Sequence, residues 1–454
     1  MPLVTERQRI QHLLRRAGFG YSAAELERYG RLGLEGTVDH LLHPEVVDDS
    51  HVDATIKSSL KRDPMEHRPS LIARWHLRLV HTERPLLEKL TYFWHDHFAT
   101  SLSKVRPHLL LQQNETLRAN ALGSFQDLLL SITRDPAMLV WLDNRANQKN
   151  APNENYAREV MELYTLGRGK DYTETDIKEA ARAFTGWRVD DANMENMSQF
   201  ARAVFTPKRH DGGVKTVLGV TGRLDDAGVI GILAEHPDTP GYVGAKLWRF
   251  FAVPEPTPEM IARTTRAYFE HNGSIRAMVR TILLSDEMYS PQAYRWRIKS
   301  PVELIVGAER ALGARTIGYG EIENSRAMGQ VLFEPPNPAG WPGGATWVNS
   351  TTLLARANFA HHLTQAGKGR AFGVDVPGLL AASGVQRAGL AGANALVDYL
   401  LDLLVGGDVD AMTRDVLLQH LGAPYHYSFE QAAKSGTLNG VVYLVLGMPL
   451  YQLA

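Results

Sequence analysis

The chain contains no cysteine. That one absence excludes disulfides, thiolate zinc sites and cysteine nucleophiles. It also lacks an excess of either charge. Forty-nine Lys and Arg face 50 Asp and Glu, for a formal charge of −1. A nucleic-acid binder needs a basic surplus to hold phosphates, so no nucleic-acid partner is expected. No apolar run approaches the roughly 20 residues that cross a bilayer. The most apolar tail, 441–454, is interrupted by Gly447 and Pro449. The N-terminus shows no basic start followed by an apolar stretch, so no secretion signal is read there. On this N-terminus the expectation is a cytoplasmic protein, or an exported one if a leader was removed. Several motifs are missing as well: the Gly-x-Ser-x-Gly elbow, the Walker loop, the dinucleotide glycine fingerprint, His-Glu-x-x-His and the EF-hand loop. Bound nucleotide is therefore not expected, and any cofactor is unspecified.

Helical periodicity is what the 454 residues do have. Ser22 with Glu25 spells a capping box. Arg84-Pro85 splits two long apolar-periodic stretches, 69–82 and 84–98, because proline fits the first turn of a helix. Further helices are predicted over 107–119, 124–133, 225–236, 241–251, 257–271, 274–284, 300–312, 351–364, 393–405 and 409–420. Residues 199–205 and 215–220 flank His210-Asp211-Gly212-Gly213, and Asp-Gly between short extended runs signals a hairpin. The fold expected is mainly α: a large multi-helix globular protein with one small β-hairpin near 199–220. Gly- and Ala-rich 366–393 reads as a connector between a main helical body, 1–365, and a C-terminal helical segment, 394–454.

Four places carry candidate chemistry. On the helix ending Trp94-His95-Asp96-His97, the 100° step puts His97 on the apolar stripe with Leu86, Leu90 and Phe93. His95 falls nearly opposite, on the surface, so the two cannot share a metal. His97 is either a satisfied core histidine or, if it opens into a cleft, a general base. The second place begins with the amide-dense run 143–155. Its asparagines stabilise turns or hold a polar ligand. Asn155, Arg158, Glu159 and Glu162 then share one helical arc. That arc is either a solvated face with an Arg158–Glu162 pair or a pair of carboxylates lining a pocket. The next helix carries Arg182, which a tight helical hairpin would bring near Glu159 or Glu162. Third, the loop Lys208–Lys215 gathers cations, His210 and Asp211, as an exposed turn or an anion contact. Fourth, Trp341 and Trp347 beside Asn337 and Asn349 either anchor their glycine- and proline-rich loop or form a sugar-stacking rim.

These stretches together resemble one bacterial family, catalogued as domain of unknown function 1800. The resemblance is carried by His12-Leu-Leu-Arg-Arg-Ala-Gly-Phe-Gly20, Phe93-Trp-His-Asp-His-Phe98, Pro152-Asn-Glu-Asn-Tyr-Ala-Arg-Glu-Val-Met-Glu-Leu163 and Ala181-Arg-Ala-Phe-Thr-Gly-Trp187. His210–Lys215 and Phe333–Gly344 add to it. The matches run in order along nearly the whole chain, which implies one long family domain. The resemblance implies no activity. Its signature positions fall at His97, Asn153, Glu154, Asn155, Arg158, Glu159, Glu162, Arg182, His210, Asp211, Asn337 and Trp341. The chain departs from the family at Met448-Pro449-Leu450, where an acidic residue is usual.

Two functions are carried forward. In the first, a hydrolase or group-transfer enzyme acts on a polar small molecule or glycan. Glu159 or Glu162 is its acid or base, Arg158 and Arg182 hold charge, and His97 or His210 moves protons. Asn153, Asn155, Asp211, Asn337 and Trp341 bind the substrate. In the second, the protein is a non-catalytic binding or envelope-associated scaffold.

Overall fold

A computed structural model describes residues 3–190, 200–365, 372–423 and 426–454. Helices begin where the sequence supplies caps. α1 (Glu6–Arg16) has a capping box between Thr5 and Gln8, and α2 (Ala23–Leu42) the predicted one between Ser22 and Glu25. Each box satisfies backbone N–H groups that the first helical turn leaves open. α2 breaks at Gly33, where φ is +69° and the following N–H, of Leu34, donates to the Glu6 carboxylate at 2.9 Å. α3 (Ser50–Ser59) follows, and α4 (Arg68–His81) and α5 (Pro85–His97) divide at Pro85 as expected. α6 (Pro107–Asn120), α7 (Phe125–Thr133) and α8 (Pro136–Trp141) come next.

One extensive apolar core runs from Leu3 through α1, α5 and the middle helices to Tyr451. Arg16 shows how the chain's two ends are joined. Its wholly buried guanidinium donates to the carbonyls of Phe251 (2.9 Å), Phe250 (3.2 Å) and Ala454 (3.2 Å). Within 366–393, Val376–Ala382 is helical, and the helices 389–405, 411–420 and 437–447 contribute to the same core. No helix among the described residues is long and apolar enough to cross a membrane.

The fold is mainly α with a small hairpin. The strand pairing differs from the one the Asp-Gly signal suggested. Strand β1 (Trp187–Val189) pairs antiparallel with β2 (Ala203–Phe205), and β3 (Lys215–Val217) with β4 (Val220–Gly222). Gln199, in the first predicted run, lies outside the described residues. The hairpin turn is Leu218-Gly219, with φ of +49° and +80°. Two consecutive positive φ values suit the right-handed twist of a two-residue hairpin. Asp211-Gly212 is excluded from that role because its loop is tied to the end of α10 (Glu174–Ala183).

Candidate functional site

The end of α5 carries His95, Asp96 and His97 on different sides. His95 is not on the surface. It is 1% exposed, its Nε2 accepts the Phe333 N–H at 3.1 Å, and its ring meets Trp75 edge-on with centroids 4.9 Å apart. Helical periodicity missed this because the segment around 330–344 folds over the helix's polar side. Burial pushes the His95 imidazole down to about 3, so it stays neutral. The same covering segment reaches Asp96, whose Oδ1 accepts the Trp341 N–H at 2.8 Å. Gly340 sits so close, at φ +82°, that a Cβ there would lie 2.2 Å from that oxygen. Asp96 and His95 therefore dock the proline- and glycine-rich loop from two sides.

His97 is buried and both its ring nitrogens are engaged. Lys246, on the helix Asp238–Phe251, donates from Nζ to His97 Nδ1 at 2.8 Å. That contact assigns the imidazole proton to Nε2, which donates to the Tyr164 carbonyl at 3.1 Å. Burial and then the Lys246 charge hold the ring well below the usual histidine range. A neutral, doubly bonded His97 is not a free general base, so that expectation is corrected. It fixes the lysine instead. Asp96 and Lys246 are recessed, densely surrounded yet with part of their surface open to solvent. Burial pushes the Asp96 carboxyl up to about 6. It pushes the Lys246 amine down to about 8, against the opposing pull of Asp96.

The helix that receives His97 is the polar one singled out from sequence. α9 (Asn155–Glu159) passes directly into a π-helical turn, Val160–Thr165. Such turns are uncommon and concentrate at functional sites. Arg158 pairs with Glu174 (2.7 Å), Glu154 (3.3 Å) and, as the spacing predicts, Glu162 (3.6 Å). Glu162 also takes Arg168 at 3.2 Å. Glu159 is half-buried and its Oε2 has no hydrogen-bond partner. Burial, then the Glu162 charge, raises its pKa. Gly167 ends this helix at φ +91°, and a Cβ there would lie 2.9 Å from the Tyr242 ring. Tyr242 precedes Lys246 by one helical turn, and the ammonium lies 5.5 Å from its ring centroid. The wall thus runs from Trp341 and Asp96 through His97, Lys246 and Tyr242 to the Glu162 end of the polar helix.

Arg182, Asp211 and His210 form a separate cluster. α9 and α10 pack together, but Arg182 turns away from Glu159 and Glu162. It grips Asp211 through Nε (2.7 Å) and Nη2 (3.2 Å), and Glu179 at 2.9 Å. The Arg182 hydrogen bond holds the Asp211 carboxyl down to about 2. His210 Nδ1 donates to the Thr185 carbonyl at 2.9 Å. Lys215 is 1% exposed and donates to the carbonyls of Asp211, Gly213 and Leu224. These groups hold the loop 207–214 in place.

The asparagines follow the turn-building reading. Asn153 Oδ1 accepts the Asn155 N–H, and Asn337 Oδ1 accepts the Ala339 N–H. Asn153 N–H in turn donates to Asn147 Oδ1. Asn155 is exposed. Trp341 and Trp347 are 9% and 6% exposed and anchor their loop, leaving little ring face for a sugar.

Sequence reasoning missed Asp96 and Lys246. Asp96 was visible between two histidines. Lys246 lies in an amphipathic helix with no motif, and only packing brings it to His97.

A family model described as a protein of unknown function (DUF1800) matches residues 12–453. Neither the curated proteins nor the solved structures provide a match. The motif-bearing segments that meet in this wall and in the Arg182 cluster all fall within the matched span, and the chain belongs to that family.

Proposed function

We propose that this protein is an enzyme of the hydrolase or group-transfer kind, acting on a polar small molecule or glycan at the Asp96–Lys246 recess. The observation that carries the reading is a carboxyl and an amine on one wall whose pKa values are pushed toward each other, to about 6 and about 8. Near pH 7 the carboxylate serves as general base and the ammonium as general acid. Each then lies within about one unit of the working pH, where proton transfer is most effective. His97 is a positioning residue, because its Nδ1 fixes the lysine. Glu159, with an unpaired oxygen on the adjoining helix, supplies a second carboxyl. Arg158 and Arg168, held by Glu162, supply positive charge at the same helix end. Paired groups with opposed shifts are a recurring mark of catalytic sites.

The test is a panel of chromogenic esters, phosphoesters, amides and glycosides, assayed with wild type, D96N and K246M. Turnover is expected to rise through pH 6 and fall above pH 8, and to drop by at least tenfold in both variants. Turnover equal to wild type in D96N and K246M contradicts the assignment.

A second reading, a non-catalytic binding or envelope-associated scaffold, draws support from a different observation. Arg158, Arg182, Asp211 and Asn153 all spend polar atoms on contacts within the chain. It predicts no turnover by the wild type at any pH.

A further inference from the structure

We propose that His76, Glu309 and Glu321 form a binding site for one divalent first-row transition cation, of the zinc, manganese or ferrous class. The three residues come from three mutually packed helices: α4, Pro301–Leu312 and Gly320–Ala327. One ligand atom from each lies within 4.8 Å of the others. All three are buried, with exposures of 3%, 0% and 1%. Two observations beyond the clustering point to a cation. Glu309 Oε1 and Glu321 Oε2 are fully enclosed and have no hydrogen-bond donor. Their sister oxygens are engaged: Glu309 Oε2 lies 2.6 Å from His76 Nε2, and Glu321 Oε1 accepts from the Thr316 hydroxyl. In addition, no Lys or Arg forms an ion pair with either carboxylate among the described residues. The neighbouring Arg310 is directed instead to Glu25 and to the carbonyls of Leu79, Val80 and Thr82.

Two buried carboxylates with only an imidazole beside them need a compensating positive charge. A divalent ion supplies it and gives both free oxygens a partner. One imidazole nitrogen with two carboxylates suits a borderline cation better than calcium or magnesium, which take oxygen ligands alone. Enclosure within packed helices is the arrangement of a structural site. A surface cavity of about 510 Å³, lined by His81, Thr82, Glu83, Glu25 and Glu309, lies beside the site. The competing arrangement is metal-free, with one proton shared between the two carboxyls.

The experiment strips the full-length protein with chelator and dialyses it against Zn²⁺, Mn²⁺ or Fe²⁺ in turn. Bound metal is then measured by mass spectrometry and the melting temperature recorded. The result expected is one equivalent per chain, a melting temperature that rises with metal concentration, and loss of both responses in E309Q and E321Q. A wild type that retains no metal, or an E309Q variant that keeps a full equivalent, overturns the site in favour of the shared proton. If the variants do not fold, X-ray absorption on the metal-loaded wild type decides. One nitrogen among oxygen ligands supports the site, and two or more imidazoles overturn it.

Discussion

Asp96 is held by geometry that tolerates little change. Gly340 approaches its carboxyl at a positive φ, so G340A meets both a clash and a backbone penalty. A loss of about 2–3 kcal/mol is expected in chemical denaturation. Asp96 also sets a pH dependence. Its folded pKa is raised to about 6 from the usual 3.8, so its contribution to stability is full below about pH 4 and is lost as pH rises through 6. D96N removes the ionisation. Relative to wild type it should gain on the order of 1–2 kcal/mol between pH 4 and pH 7. The full shift would give more, but part of the side chain remains in solvent. Urea melts at the two pH values check this, and a pH-independent difference would contradict the burial argument. His95 teaches a related point. Its helical phase alone placed it outside, because periodicity describes a helix and not the segment that later covers it.

Among the elements, helix starts were legible because their causes are local. Ser22 and Pro85 stand within a few residues of the groups they cap or stop. The strand pairing was less legible. Asp211-Gly212 has turn chemistry, but Arg182 and Thr185, more than 20 residues earlier, claim Asp211 for a different loop. Arg182 is thus a clamp on 207–214. R182M should raise amide exchange and tryptic cleavage at Lys208 and Arg209 several-fold. The melting temperature should change little, because the loop contributes few apolar contacts to the core. Unchanged cleavage would show that Lys215 alone holds the loop. The π-helical turn was not legible at all: Val160–Thr165 reads as ordinary helix, and nothing in its composition announces the wider turn.

Over the whole molecule, buried charges tie distant segments together. Lys89 and Arg297 both meet Glu303, which is 4% exposed. Burial opposes its ionisation, but the two cations outweigh burial and hold its carboxyl well below the usual range. Removing one partner from such a network leaves uncompensated buried charge. E303Q should therefore cost about 3–5 kcal/mol and lower the midpoint of unfolding. A change under about 1 kcal/mol would show that the network is not essential. The same scale explains why the site was only half readable. The polar helix 153–165 and His97 were both singled out from the sequence, but their contact, through the Tyr164 carbonyl, is made by packing. The sequence could not show that Lys246 joins them, or that Arg182 and His210 belong elsewhere, because those outcomes depend on how separate helices pack. The central claim is that Asp96 and Lys246 form a proton-transferring pair. It is tested most directly by NMR titration of the Asp96 carboxyl carbon and the Lys246 amine in the intact protein. The account predicts midpoints of about 6 and about 8. Midpoints near the ordinary values, about 3.9 and about 10.4, would contradict it.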